Sequence, residues 1–192
     1  MKPLPLLSPF EVERVLLGQS ITDRQPWATG DPAAVDGLLQ GVCAAVTRLT
    51  RCESRVEWTH YGSGYASYVD AWFYRATPES GVKHAGRDVE AHTGLVVLLS
   101  RLAPYFVFME GQKHWDALSA GSYLPHFDML DRFDTPAVAL LSQHVQRVLE
   151  SHGLIRVLQA QLGAPLDEGV RVPTILTDDG FRQFDALFHW ED

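Results

Sequence analysis

The chain has 192 residues, of which 46% are hydrophobic and 21% are charged, and its formal net charge at pH 7 is −8. This length and composition predict one folded domain, residues 1–192, that can bury a core without a metal or a disulfide. The negative charge argues against binding to nucleic acid or to an anionic membrane, because both require a basic surface. We therefore expect neither of these as a partner.

Two cysteines and the first ten residues indicate a cytoplasmic protein. Cys43 and Cys52 lie in or beside a predicted helix, where nine positions span about 13 Å, and this distance is too long for a disulfide. Reduced thiols are typical of the cytosol. We expect Cys43 to be buried and Cys52 to be more exposed. Three prolines interrupt the apolar start of the chain, so it does not resemble a signal peptide, and no later segment suits a membrane span.

Two helices are predicted near the N-terminus from capping residues that precede apolar periodicity. Ser8 and Pro9 mark the start of a helix over about 8–19, and Asp31 with Pro32 marks a second over about 31–51. The second helix carries apolar residues at helical spacing: Val35, Leu38, Leu39, Val42, Val46 and Leu49.

The middle of the chain predicts an antiparallel sheet of about four strands. Residues 55–61 and 66–75 alternate between apolar and polar side chains around a glycine-rich loop, which indicates a β-hairpin. Residues 94–102, GLVVLLSRL, are continuously apolar up to the arginine, as is typical of a central strand covered on both faces. Residues 105–110 read as the next strand, and 76–91 as a loop.

Helical patterns return after the predicted strands. Thr135 and Pro136 start a helix that ends near Gly153, and a shorter helix then runs from about Leu154 to Gly163. The resulting expectation is an α+β fold, in which N-terminal and C-terminal helices pack on one face of the antiparallel sheet.

The segment 181–192, FRQFDALFHWED, concentrates aromatic residues close to the last residue. Read as a helix, it places Phe181, Phe184 and Phe188 in one stripe, and such stripes usually face a core. Asp185 and Glu191 would then point to solvent. The spacing therefore predicts that the aromatic residues close the fold, while the acidic residues stay outside.

A group of histidines and acids is the main candidate for a metal site. His84, Asp88, Glu90 and His92 lie within nine residues and are expected in one loop. Their spacing matches no common zinc motif, so ordinary surface histidines are the favoured interpretation. No nucleophile motif, phosphate loop or dinucleotide fingerprint is present. We therefore expect no cofactor and no enzymatic activity.

The last thirty residues carry most of the negative charge. Seven acidic residues and two arginines between 163 and 192 give a net charge of −5, more than half of the total. Such a surface either only keeps the protein soluble or attracts a basic partner. The interleaved aromatic residues favour the second interpretation, because interface cores are rich in them.

The ending FDALFHWED after a TDDG turn resembles the C-termini of the acidic immunity proteins encoded beside bacterial polymorphic toxins, including Rhs and type VI effectors. The resemblance covers residues 173–192. It implies a cytoplasmic protein that binds its cognate secreted toxin stoichiometrically and blocks the active site or access to the target. Many toxins that act on nucleic acid have basic substrate clefts, which an acidic inhibitor can occupy. The residues expected to bind the toxin are Asp167, Glu168, Asp178 and Asp179.

Two other functions stay open at this point. One is a small metal-dependent hydrolase that uses the loop with His84, Asp88, Glu90 and His92. The other is a small-molecule-binding domain in which the predicted sheet holds the ligand.

Overall fold

The computed structural model describes residues 5–62, 64–75, 81–82, 91–116, 119–121, 125–177 and 180–191. The helices among these residues are α1 (Pro9–Leu16), α2 (Pro32–Thr50), α3 (Pro136–Ser151), α4 (Gln159–Leu162) and α5 (Gln183–Leu187). The strands are β1 (Glu53–Glu57), β2 (Tyr65–Ala66), β3 (Tyr68–Tyr74), β4 (Gly81–Val82), β5 (Ala91–Ser100), β6 (Tyr105–Asp116), β7 (Ser119–Gly121), β8 (Ile155–Arg156) and β9 (Trp190–Glu191). The α+β class predicted from the sequence is confirmed.

The main sheet is mixed, so the prediction of a purely antiparallel sheet is wrong. Strands β1, β3, β5, β6 and β7 follow one another as antiparallel neighbours, and β4 pairs with β5. Strand β8 pairs in parallel with β6, matching Ile155 to Tyr105. The parallel pairing arises because α3 carries the chain back along the sheet before β8 begins. A separate small sheet joins β2 to β9.

The two N-terminal helices start at the predicted capping residues. Ser8 Oγ accepts a hydrogen bond from Glu11 N over 3.3 Å, and Glu11 Oε2 accepts one from Ser8 N over 2.8 Å, which completes a capping box. Asp31 Oδ1 accepts a hydrogen bond from Ala33 N over 2.9 Å at the start of α2. In the part of the chain that the structure describes, no helix combines the length and the apolar composition that crossing a bilayer requires.

Three predicted elements are shorter in the structure, and the first is the helix predicted over about 8–19, which ends at Leu16. The hairpin exists as the pair β1–β3, with Glu53 opposite Tyr74, but β1 ends at Glu57 because the chain turns sharply at His60. The predicted helix over 154–163 is helical only in α4, since its first residues form β8 beside β6. In the segment 154–163, pairing with the distant strand β6 determines the backbone conformation.

Both faces of the sheet are covered, so the prediction of helices on one face is wrong. On β5, Leu95, Val97 and Leu99 face a core that includes α2 and α3. Val96 and Leu98 face a second core that includes side chains of α1, α4 and α5. The continuous apolar run was correctly interpreted as a strand buried on both sides, and that burial requires two helical layers.

The C-terminal segment forms part of the second core. Phe184, Leu187 and Phe188 are each 0–1% exposed, which confirms that this part of the aromatic stripe faces inward. Gln183 Nε2 donates to Leu7 O over 2.7 Å, and Leu7 N donates to Gln183 Oε1 over 2.9 Å. This pair of buried hydrogen bonds joins the α5 segment to the residues just before α1.

We predict that Phe188→Ala lowers the free energy of unfolding by about 3–5 kcal/mol, because a fully buried ring is replaced by a cavity. Phe10→Ala is the matched control, since Phe10 is 66% exposed on α1 and its loss should cost no more than about 0.5 kcal/mol. Urea unfolding followed by circular dichroism measures both values. Equal stability of the two variants would show that the C-terminal segment does not belong to the core.

Candidate functional site

Two of the predicted toxin-binding residues, Asp167 and Glu168, lie on an exposed loop between α4 and α5, here called the acidic loop (165–171). They line a groove of about 310 Å³ together with residues that lead into α5. The other two, Asp178 and Asp179, lie outside the described residues. The structure thus brings Asp167 and Glu168 together at one concave surface.

Backbone hydrogen bonds attach the acidic loop to the segment that leads into α5. Leu166 N donates to Phe181 O over 2.9 Å, and Gln183 N donates to Ala164 O over 3.0 Å. Because α5 is buried, these bonds connect the loop directly to the second core. The two carboxylates are therefore presented on a constrained backbone.

A second groove, of about 260 Å³, shares Gly180 with the first and contains charges of both signs. The Arg182 guanidinium lies 4.3 Å from the centroid of the Phe127 ring, and its Nη1 lies 3.7 Å from Asp128 Oδ1. Both charged side chains are partly exposed, so the ion pair contributes at most about 1 kcal/mol. Its main effect is to hold the guanidinium over the aromatic ring.

Asp185 is buried, so the prediction that it points to solvent is wrong. Its Oδ2 accepts a hydrogen bond from Arg182 N over 2.7 Å, which satisfies a backbone donor at the start of α5. Burial raises the pKa of this carboxyl, and the hydrogen bond to the backbone at Arg182 opposes that shift. Asp185 therefore stabilises the start of α5 and is not part of the exposed acidic surface.

A third concave surface, the Arg101 cleft, has a volume of about 200 Å³ and lies beside the α1–α2 connection. Its polar side chains include Asp31, Asp36, His60, Tyr65 and Arg101. None of these side chains was predicted from the sequence to bind a ligand. The available signal was a single arginine directly after the apolar run of β5, where a charge needs a specific partner to be buried.

Arg101 connects several parts of the cleft. It is 8% exposed, and its Nε donates to Asp36 Oδ1 over 3.0 Å. Its Nη1 donates to Tyr68 O and, over 3.1 Å, to Ala66 O, while Nη2 donates to Trp58 O over 3.0 Å. The buried charge is therefore paired with one carboxylate and satisfied by three carbonyls.

His60 occupies a constrained position at the Arg101 cleft. His60 and Tyr61 have φ values of 54° and 57°, and left-handed backbone costs roughly 1–2 kcal/mol for each such residue. His60 Nδ1 accepts a hydrogen bond from Ala66 N over 2.9 Å, so the proton of the neutral ring lies on Nε2. Burial, followed by the charge of Arg101, lowers the pKa of the ring. The His60 ring stacks on Tyr65 with centroids 5.5 Å apart.

The turn that contains His60 is fixed on its other side by a buried ion pair. Lys113 Nζ lies 2.7 Å from Asp70 Oδ2, and Tyr61 Oη donates to the same oxygen over 2.8 Å. Asp70 is 2% exposed, so the carboxylate depends on these two donors. Of the two residues with left-handed backbone, His60 therefore lines the cleft, and Tyr61 packs against the second core.

Of the four candidate metal ligands, His92 alone lies in the described part of the chain. His92 lies within β5, not in a loop, and its buried ring stacks on Tyr74 with centroids 5.0 Å apart. His84, Asp88 and Glu90 lie outside the described residues. Among the residues that are described, no group of three or more His, Cys, Asp or Glu side chains is arranged to hold a metal ion.

Both cysteines are buried. Burial raises the pKa of the Cys43 thiol to about 12, in agreement with its predicted position on the inner face of α2. The prediction that Cys52 is more exposed is wrong, since its thiol is enclosed at the end of α2 and accepts a hydrogen bond from Thr50 Oγ1 over 3.0 Å. Burial also raises the pKa of this thiol. Neither position suits a reactive thiolate.

We predict that the free energy of unfolding falls as the pH is lowered from about 7 to about 5. Burial lowers the pKa of His189 below its ordinary value of 6.5, and its Nδ1 lies 2.9 Å from Ala186 O. Because the unfolded chain binds this proton at a higher pH than the folded chain does, acidification favours unfolding. His189→Gln should therefore reduce the pH dependence, measured by urea unfolding at several pH values.

His152→Gln is the control for this prediction, because His152 is exposed at the end of α3. It should leave the slope of stability against pH unchanged. If His189→Gln and the unaltered protein lose the same stability between pH 7 and pH 5, His189 does not carry the effect.

Comparison with known proteins returned no relative. No protein-family model matches the chain, and no curated protein or solved structure shows significant similarity to it.

Proposed function

We propose that this protein is a cytoplasmic immunity protein that binds a cognate bacterial toxin stoichiometrically and neutralises it. The observation that carries the proposal is the position of Asp167 and Glu168, both exposed on the acidic loop at a groove of about 310 Å³. The resemblance of residues 173–192 to the ends of such proteins points in the same direction. An inhibitor of this kind needs a complementary surface and no catalytic residues.

The charge of the acidic loop suits a basic partner. Asp167 and Glu168 outnumber Arg171 on the same loop, so the loop has a formal net charge of −1 in a chain whose total is −8. Charges at the edge of an interface attract an oppositely charged partner over a distance and accelerate association. Fast association benefits an inhibitor that must act before its toxin reaches the target.

The backbone of the acidic loop supports tight binding as well. The hydrogen bonds to Phe181 and Gln183 constrain the loop before any partner arrives. A preorganised surface loses less conformational entropy on binding than a flexible one. The half-buried Phe181 also lines the groove, and Ile175 is 50% exposed nearby in sequence, so apolar contacts are available beside the charges.

The aromatic residues of α5 and its C-cap are too buried to bind a partner, so their role is to stabilise the fold. Phe184 and Phe188 are 0–1% exposed and cannot contact another protein while the fold is intact. We therefore propose that the acidic loop and its groove bind the partner, and that Phe184 and Phe188 stabilise the fold.

We predict that the double variant Asp167→Lys with Glu168→Lys associates at least about tenfold more slowly with the toxin encoded beside its gene, because the long-range attraction becomes repulsion. Stopped-flow or biolayer interferometry at low ionic strength measures the rate. Glu13→Lys with Asp23→Lys is the matched control, with the same change in net charge at exposed positions outside the acidic loop.

Two outcomes would overturn the proposal. One is an association rate that the loop variant and the control change equally, which would assign the effect to net charge alone. The other is failure of the unaltered protein to co-purify with that toxin or to protect cells that express it.

A further inference from the structure

We propose that the Arg101 cleft is a binding site for a small organic amine, an ammonium group attached to a compact apolar or aromatic body. The site is separate from the acidic loop and does not depend on the immunity function. It combines an apolar wall with two carboxylates and an aromatic hydroxyl, and among the described residues one oxygen of each carboxylate and the hydroxyl have no hydrogen-bond partner.

The size of the Arg101 cleft limits its ligand. A volume of about 200 Å³ is smaller than the range of about 300–1,000 Å³ that is typical of drug-sized ligands. Trp27, Val35 and Leu102 contribute apolar lining. Trp27 is held in place because its Nε1 donates to Ser100 O over 3.4 Å. The cleft therefore fits a small body with at least one apolar side.

The carboxylates of the Arg101 cleft favour a cation. Asp36 Oδ1 is occupied by Arg101 Nε and Asp31 Oδ1 by Ala33 N, and within the described structure the second oxygen of each accepts no hydrogen bond. Both free oxygens can receive N–H groups from an ammonium. Because Asp31 and Asp36 each carry one negative charge and Arg101 carries one positive charge, the lining has a net negative charge.

Arg101 does not make the cleft a site for anions. The guanidinium is almost completely buried, and its donors point to Asp36 and to three backbone carbonyls. An anion would have to approach Asp31 and Asp36 in order to reach the remaining N–H. The arginine thus positions the Asp36 carboxylate, and Asp31 and Asp36 both line the cleft.

Aromatic rings complete the recognition of an amine. His60 and Tyr65 stack on each other, and Tyr65 also lies 5.8 Å from the ring of His189. Nothing in the described structure hydrogen-bonds the Tyr65 hydroxyl, and burial raises its pKa, so it stays protonated and can donate or accept. Ring faces attract organic cations. The hydrogen bond from Ala66 N holds the His60 ring although its backbone is left-handed, and strained residues of this kind are common at ligand sites.

Isothermal titration calorimetry of the full chain with tyramine tests the proposal, because tyramine joins an ammonium to a small phenol. The carboxylate analogue 3-(4-hydroxyphenyl)propionate and the uncharged 4-ethylphenol are the matched ligands. We expect saturable one-to-one binding of tyramine, at least tenfold tighter than that of either analogue. Absence of saturable binding, or equal binding of the three, would overturn the proposal.

Two variants locate the binding to the cleft. Asp31→Asn removes a charge and keeps the helix cap, because asparagine is as good a capping residue as aspartate. Asp36→Asn removes the partner of Arg101, so its fold is first verified by circular dichroism. We expect each to weaken tyramine binding at least fivefold.

Asp167→Asn is the control, since it removes one carboxylate from the acidic loop and leaves the cleft intact. Its affinity for tyramine should equal that of the unaltered protein. If Asp31→Asn and Asp167→Asn change the affinity equally, the ligand responds to net charge only and the cleft is not its site. Toxin binding plays no part in this experiment, so its outcome is independent of the immunity function.

Discussion

Strand β5 has apolar side chains on both faces, and the rest of the fold is arranged to cover them. Leu95, Val97 and Leu99 point to one side and Val96 and Leu98 to the other, and all five are fully buried. Burying each such side chain contributes roughly 1.5–3 kcal/mol, so neither face can be left to solvent without a large loss. Helices α2 and α3 cover the first face. The second face is covered by segments from both ends of the described chain, which are joined through Leu7 and Gln183.

This division places the residues that stabilise the fold beside, and apart from, the residues of the proposed recognition surface. Helix α5 buries Phe184 and Phe188, and the acidic loop before it is attached by backbone bonds to the residues around α5. The exposed carboxylates therefore have a rigid support. A similar arrangement occurs at Arg101, which follows the last residue of β5. Its buried charge fixes Asp36 and the turn around His60, and the Arg101 cleft forms there.

The sequence predicted the elements that depend on contacts between residues close to each other in the chain. Ser8 and Asp31 cap helices because the groups they satisfy lie two or three residues away. The parallel strand β8 was missed because it depends on β6, about fifty residues earlier. Arg101 was missed for the same reason, since its carbonyl partners precede it by 33 to 43 residues. Asp185 had a local partner in Arg182 N, but its burial comes from the surrounding core, which the helical pattern of the segment does not reveal.

The contact between Leu7 and Gln183 has a consequence for the order of folding. These residues are separated by 176 positions, so their hydrogen bonds close one of the longest loops in the molecule. Non-local contacts of this kind form late, after the local helices and the antiparallel hairpins. Until α5 arrives, Val96 and Leu98 belong to a sheet face that lacks part of its cover. Exposed apolar sheet surface of this kind promotes aggregation of any chain in which α5 has not yet docked.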